Sequence, residues 1–175
     1  MKILSLGWGV QSFTLAAMVA LGELEPIDFA VHADTTWERK QTYAFAQRWA
    51  PWLEERGVKV VTVQDADQAA AVTTLKTDIP AFTVDIAADV EGQLRRQCTG
   101  RWKIIPMRRY IADELQRRDL PKSRGQVEQW LGISEDEWHR AKDSDVKYIT
   151  HRYPLLEKSM RRGDCVTWLE RNGLE

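Results

Sequence analysis

At 175 residues, 43% of them hydrophobic and 29% charged, the chain is long enough to bury about 70% of the surface its unfolded form exposes, so no metal or disulfide is needed merely to fold it. A formal net charge of -1 does not suggest a strongly basic nucleic-acid binder, and the composition is that of a globular rather than a disordered or fibrous protein. The apolar runs, such as Thr14 to Leu21, fall short of the roughly 20 residues that span a bilayer, and no basic leader with a cleavage site opens the chain, so a cytoplasmic protein is expected.

Lys2 to Leu6 form a short apolar run that ends in Gly7, and Ser12 to Leu21 carry apolar residues at helical spacing until Gly22. This predicts strand, tight turn and helix. A second apolar run, Ile27 to Ala33, ends in Asp34, Thr35 and Thr36 and leads into a predicted helix from Trp37 to about Arg56, closed by Gly57. The β-branched stretch Val58 to Val63 predicts a third strand, and Ala66 to Ala71 a short helix. Residues 1–65 thus read as a βαβαβ core with right-handed crossovers and a parallel sheet.

The second half, residues 95–175, reads as mostly helical and basic. Helices are expected over Ile104 to Arg117 and Arg124 to Leu131, and Ser134 to Glu137 has the form of a capping box for another. A last helix is predicted from Leu155 through Leu169, broken near Gly163, with His151 to Pro154 as an interruption before it. With no repeat, low-complexity tract or linker, residues 1–175 are taken as one domain.

In parallel α/β sheets ligands sit beyond the carboxyl ends of the strands, where Gly7 to Ser12 and Asp34 to Thr36 both fall. Glycines in a strand-to-helix loop let the backbone approach an anion, and amides at the helix start point toward it. Charge-assisted hydrogen bonds contribute about 1.5–3 kcal/mol each against about 0.3–1 kcal/mol for the helix dipole, so donor placement decides affinity. No Gly-Lys-Ser or Gly-Lys-Thr occurs in the chain, which removes the Walker type. Gly7-x-Gly9-x-x-Ser12 nearly fits the dinucleotide fingerprint, for which Asp28 or Asp34 must reach a ribose, and a purely geometric glycine turn stays open at this point.

Ser5-x-Gly7-x-Gly9-x-Gln11-Ser12, followed by Ala33-Asp34-Thr35 at the next strand end, resembles the PP-loop of the adenine nucleotide alpha hydrolase superfamily, and within it the phosphoadenosine phosphosulfate (PAPS) reductase family, especially phage-type members. Cys98-Thr99-x-Arg101-Trp102-Lys103-Ile104-x-Pro106 is similar to a family segment whose basic residues face the ligand's anionic end. Gly132-Ile133-Ser134-x-Asp136-Glu137, Tyr153-Pro154-Leu155 and Cys165-x-x-Trp168-Leu169 resemble later segments, so the likeness covers nearly the whole chain.

The resemblance implies an α/β, parallel-sheet, Rossmann-like three-layer domain with a helical C-terminal half, binding an adenine nucleotide (ATP or PAPS). It implies ligand contacts from Ser5, Gly7, Gly9, Gln11, Ser12, Asp34, Thr35, Arg101 and Lys103. The family's usual glycine after the threonine is here Thr36. Where ATP-splitting relatives carry aspartate, Gln11 is neutral and supplies no anionic metal ligand. Cys98 and Cys165 read as two reduced thiols; longer relatives continue into a Cys-x-x-Cys segment, so an iron–sulfur cluster or zinc is expected only in a longer form. A Glu-Cys-Gly-x-His type segment is missing from the 175 residues, which leaves the reaction open.

The expected function is therefore nucleotide binding with action at the alpha-phosphate or sulfate, in the setting of phage or host-defence nucleic-acid modification. The alternative is a non-catalytic module. Arg95 to Arg124 holds ten Lys or Arg against three Asp or Glu, so residues 95–124 are the stretch through which nucleic acid or a partner protein would dock, and a solvated charged face is the competing reading for Arg108, Arg109, Arg117 and Arg118. Self-association is left open. His32, on an apolar strand, reads as a core histidine, and Glu38 as a rim or ordinary surface residue.

Overall fold

The computed structural model describes residues 1–36, 38–64, 82–85, 90–93 and 100–175. In chain order they form β1 (Lys2–Ser5), α1 (Val10–Ala20), β2 (Phe29–Ala33), α2 (Lys40–Glu55), β3 (Val60–Val63), an antiparallel hairpin of β4 (Phe82–Asp85) and β5 (Val90–Gln93), a π turn (Gly100–Ile104), α3 (Ile105–Arg117), β6 (Val127–Trp130), a 3-10 helix (Glu135–Arg140), β7 (Ile149–Arg152), α4 (Pro154–Glu157) and α5 (Arg162–Arg171). Five strands make one parallel sheet in the order β3-β2-β1-β6-β7. This is an α/β parallel-sheet domain, as the sequence predicts.

Alternation along the strands sends side chains to two cores. Leu4, Ala30 and Trp130 pack on one face with Phe13 of α1, Leu53 of α2 and Leu169 of α5. Ile3, Phe29, Val31 and Val127 pack on the other with Ile111 and Leu115 of α3. Helices therefore cover both faces, which is why β2 is buried at all five positions. Six consecutive residues of α1, Phe13 to Met18, are also buried, because sheet, α2 and α5 enclose that helix from several sides.

Several expectations need correction. Residues 124–131 are not a helix: β6 occupies Val127–Trp130, where Glu128 accepts the Trp130 indole N–H at 2.7 Å and Gln129 donates to Ser5. Polar residues with such partners hide the strand's burial from any hydropathy pattern. His151, expected in an interruption, lies in the edge strand β7. The Ser134 capping box does not form, because the Ser134 hydroxyl accepts a hydrogen bond from Gln11 instead, and only the 3-10 helix follows.

The last predicted helix is two, α4 and α5; they separate before Gly163, at a turn where Ser159 has φ 50°. Helix α2 begins at Lys40 rather than Trp37. Gly57, with φ 81°, ends its helix as expected, and Gly173, with φ 66°, ends the last one in the same way. The predicted helix over Ala66 to Ala71 lies outside the described residues.

Candidate functional site

From β1 the chain passes to β2 and β3 on one side, and later returns to place β6 and β7 on the other. The strand order thus reverses between β1 and β6, and the carboxyl ends of strands at such a reversal are the position at which these sheets bind ligands. The loop after β1 sits there. Its Leu6 amide is tied to the Val31 carbonyl at 2.8 Å, and its closure comes from Ser12, whose hydroxyl accepts the Gly7 amide and donates to the Gly9 carbonyl, both at 3.2 Å.

Trp8 holds the loop from inside. It takes a left-handed φ of 56°, a strained choice for a bulky residue, yet its ring is buried, 6.2 Å from Phe13 and 6.3 Å from His32. Gly9 is the N-cap of α1 and supplies no side-chain cap, and no acidic residue lies in the first turn. The first intrahelical bond runs from the Phe13 amide to the Gly9 carbonyl at 2.9 Å. Among the described residues the amides of Val10, Gln11 and Ser12 meet no acceptor, as expected for the start of an 11-residue helix.

The loop is braced by the later part of the chain. A Cβ on Gly132, just past β6, would lie 2.8 Å from the Ser12 amide nitrogen and 3.0 Å from Gln11 carbon, so glycine is required for that approach. The Gln11 carboxamide donates to Ser134 at 3.3 Å and Glu137 at 3.0 Å and accepts from Arg162 at 2.7 Å. Ser5, at the end of β1, accepts from Gln129 at 2.7 Å. Arg162 and Gln129 carry no sequence signal, because each gains its place through contacts more than 120 residues away.

Beside the loop, the end of β2 forms a polar turn. Asp34 accepts from the Thr36 amide and the Tyr43 hydroxyl, both at 2.8 Å. The Thr35 hydroxyl donates to Glu38 at 3.0 Å, and Lys103 from the π turn reaches the same carboxylate oxygen at 2.8 Å. Burial works against a charged Glu38, but Lys103 and Thr35 outweigh it and hold the carboxyl below its usual range. Arg101 lies in the same π turn, its side chain outside the described residues.

Thr36, the residue after Thr35 at this turn, has φ 59°. A β-branched residue there costs about 1–2 kcal/mol, partly offset because glycine loses about 0.5–1 kcal/mol more on folding. Thr36→Gly is accordingly expected to leave stability unchanged or raise it by up to about 1.5 kcal/mol in urea unfolding. A clear loss contradicts the strain.

No protein-family model matches the chain, and no curated protein matches it. Among solved structures it is similar to the crystal structure of phosphoadenylyl-sulfate (PAPS) reductase from Candida auris in a phosphate complex, with a TM-score of 0.59, 12% identity, and 98% of this chain and 73% of that chain covered. The chain has a PAPS reductase-like fold.

Within the PAPS reductase-like fold the remaining candidates separate. His32 is buried, and its Nδ1–H donates to the Leu6 carbonyl at 3.0 Å. Burial pushes its pKa down, so the neutral ring is the form held in the core. Cys165 is also fully buried, in α5, and burial raises its thiol; it is a packing residue of the α1 face. Cys98 lies outside the described residues, and among these no cluster of His, Cys, Asp or Glu is placed to hold a metal ion.

The basic stretch is partly neutralised. Arg108 pairs with Asp145, Arg118 with Asp28 and Glu114, and Arg117 with Glu114. Arg109, Lys122 and Arg124 are exposed. A cleft of about 640 Å³ lies on the β6–β7 flank, lined among others by Arg124, Asp143, Lys147 and His151. It contains none of the loop residues, and its mixed charges point to no single ligand. No described helix is long and apolar enough to cross a membrane.

Proposed function

We propose that the chain binds an adenine nucleotide with its phosphate or sulfate end in the loop from Ser5 to Ser12 and acts at the alpha-phosphate or sulfate, as a PAPS reductase-like protein. The observation that carries this reading is the uncapped start of α1, with the amides of Val10, Gln11 and Ser12 at the reversal point of a parallel sheet. Gly7 and Gly9, both exposed, let an oxyanion approach the main chain, and the Ser12 hydroxyl stands beside them. In this reading Gln11 serves through its amide, its carboxamide being turned to Ser134, Glu137 and Arg162. Asp34 and Thr35 border the ribose or adenine side, and Lys103 and Arg101 bring positive charge. The structurally similar PAPS reductase was solved as a phosphate complex, which is compatible with an anionic ligand for this fold.

The context implied by the resemblance is nucleic-acid modification in phage or host defence. The test is isothermal titration with ATP, AMP and PAPS. Binding of at least one is expected, weakened about tenfold by Ser12→Ala, which corresponds to roughly one charge-assisted hydrogen bond. Binding of none overturns the reading. Turnover of ATP or PAPS that disappears with Ser12→Ala separates an enzyme from a binding module.

A further inference from the structure

Lys103 lies within electrostatic reach of His32 in β2, and it is already engaged. Its ammonium sits 2.8 Å from Glu38, whose side chain is 22% exposed against 43% for Lys103. Glu38 is itself fastened: Thr35 donates to the same oxygen at 3.0 Å, and the Glu38 amide donates to the Tyr43 hydroxyl at 3.4 Å. His32 feels the charges of Asp34, Glu38 and Lys103, and it is bonded to the Leu6 carbonyl, where the loop begins. The ion pair therefore stands at the loop's edge, with Asp34 as a second carboxylate on the same side.

Two carboxylates beside an anion loop work against anion binding, and a cation satisfied by one of them lends the ligand little. The more exposed, longer partner is the one free to swing, since Lys103 rides on a flexible four-carbon stem and Glu38 is held by the turn. Building on the proposed nucleotide site, we infer that Glu38 is the resident counter-ion of Lys103 and sets the site's charge requirement: the ligand's anionic end draws the ammonium away from Glu38 and replaces it. Glu38 then determines specificity by exacting a cost that only a sufficiently charged ligand recovers. The groups facing Glu38 among the described residues are Lys103, Thr35, His32, Asp34 and Tyr43; neutral His32 and the Tyr43 phenol leave the Lys103 pair as its main electrostatic partner.

The experiment is titration of the full chain with ATP, AMP, PAPS and uncharged adenosine at low salt, where surface charges are least screened. Glu38→Gln keeps a partner for Thr35 and removes the charge. It is expected to tighten whichever anionic nucleotides the unaltered protein binds by about fivefold, the effect of one unit charge at contact distance in water, while leaving adenosine unchanged. Combining it with Lys103→Met is expected to abolish the gain. Glu38→Ala, with circular dichroism to verify folding, gives a second route to the same result. Unchanged or weaker anion binding in both Glu38 variants overturns the inference while leaving the nucleotide site standing, and an equal gain for adenosine also overturns it. Absence of binding by every protein, unaltered or substituted, overturns the nucleotide site and this inference with it.

Discussion

Gly132→Ala is expected to destabilise the protein by about 3 kcal/mol and to weaken nucleotide binding by more than tenfold. Overpacking a tight interior contact costs about 1–3 kcal/mol, and the upper end applies where the obstructing atoms cannot rotate away. Here they are main-chain atoms. The new Cβ would stand 2.8 Å from Ser12 nitrogen and 3.0 Å from both Gln11 carbon and Ser12 Cα. Relief requires either the loop after β6 or the first turn of α1 to retreat, and α1 is itself wedged between sheet, α2 and α5. A retreat of either one displaces the amides proposed to hold the anion. Urea unfolding at an unchanged m-value measures the first effect, and nucleotide titration under folding conditions the second. Wild-type values for both refute the contact.

Gln11→Ala is expected to cost about 2 kcal/mol of stability while changing nucleotide affinity less than threefold. The carboxamide ties α1 to Ser134, Glu137 and Arg162. Hydrogen bonds to charged partners contribute about 1.5–3 kcal/mol each, and solvent access around Arg162 and Glu137 reduces their sum. Ser134 is fully buried, so it loses a partner that water cannot easily replace. The Gln11 amide, by contrast, survives the substitution. A large loss of affinity at wild-type stability would show that the side chain itself meets the ligand. The two substitutions probe one brace, because Gly132 and Gln11 touch the same turn of α1, and their effects are not expected to add.

The strand-loop-helix unit from Lys2 to Ala20 and the apolar strand Phe29–Ala33 were legible, since apolar runs and glycine stops are properties of adjacent residues. The strands β6 and β7 were not. Val-Glu-Gln-Trp and Ile-Thr-His-Arg place polar residues inside a sheet, where Gln129 finds Ser5, and Arg152 pairs with Glu157 at 2.9 Å while covering Trp130 at 4.9 Å. Hydropathy reads those residues as exposed because it sees the side chain without its partner. The 3-10 helix was misread for the same reason: Ser134 has the form of a cap, but Gln11 claims its hydroxyl.

The same division holds at the candidate site. The turn that Gly7, Gly9 and Ser12 build could be read from the chain alone because a tight strand-to-helix turn constrains residues only a few positions apart. Tertiary structure decided which polar side chains already have partners: Lys103 meets Glu38 across 65 residues, and Gln11 meets Arg162 across 151. A side chain's chemistry is carried by its residue type, whereas its availability depends on whether folding brings a partner within about 3 Å, the range of a hydrogen bond.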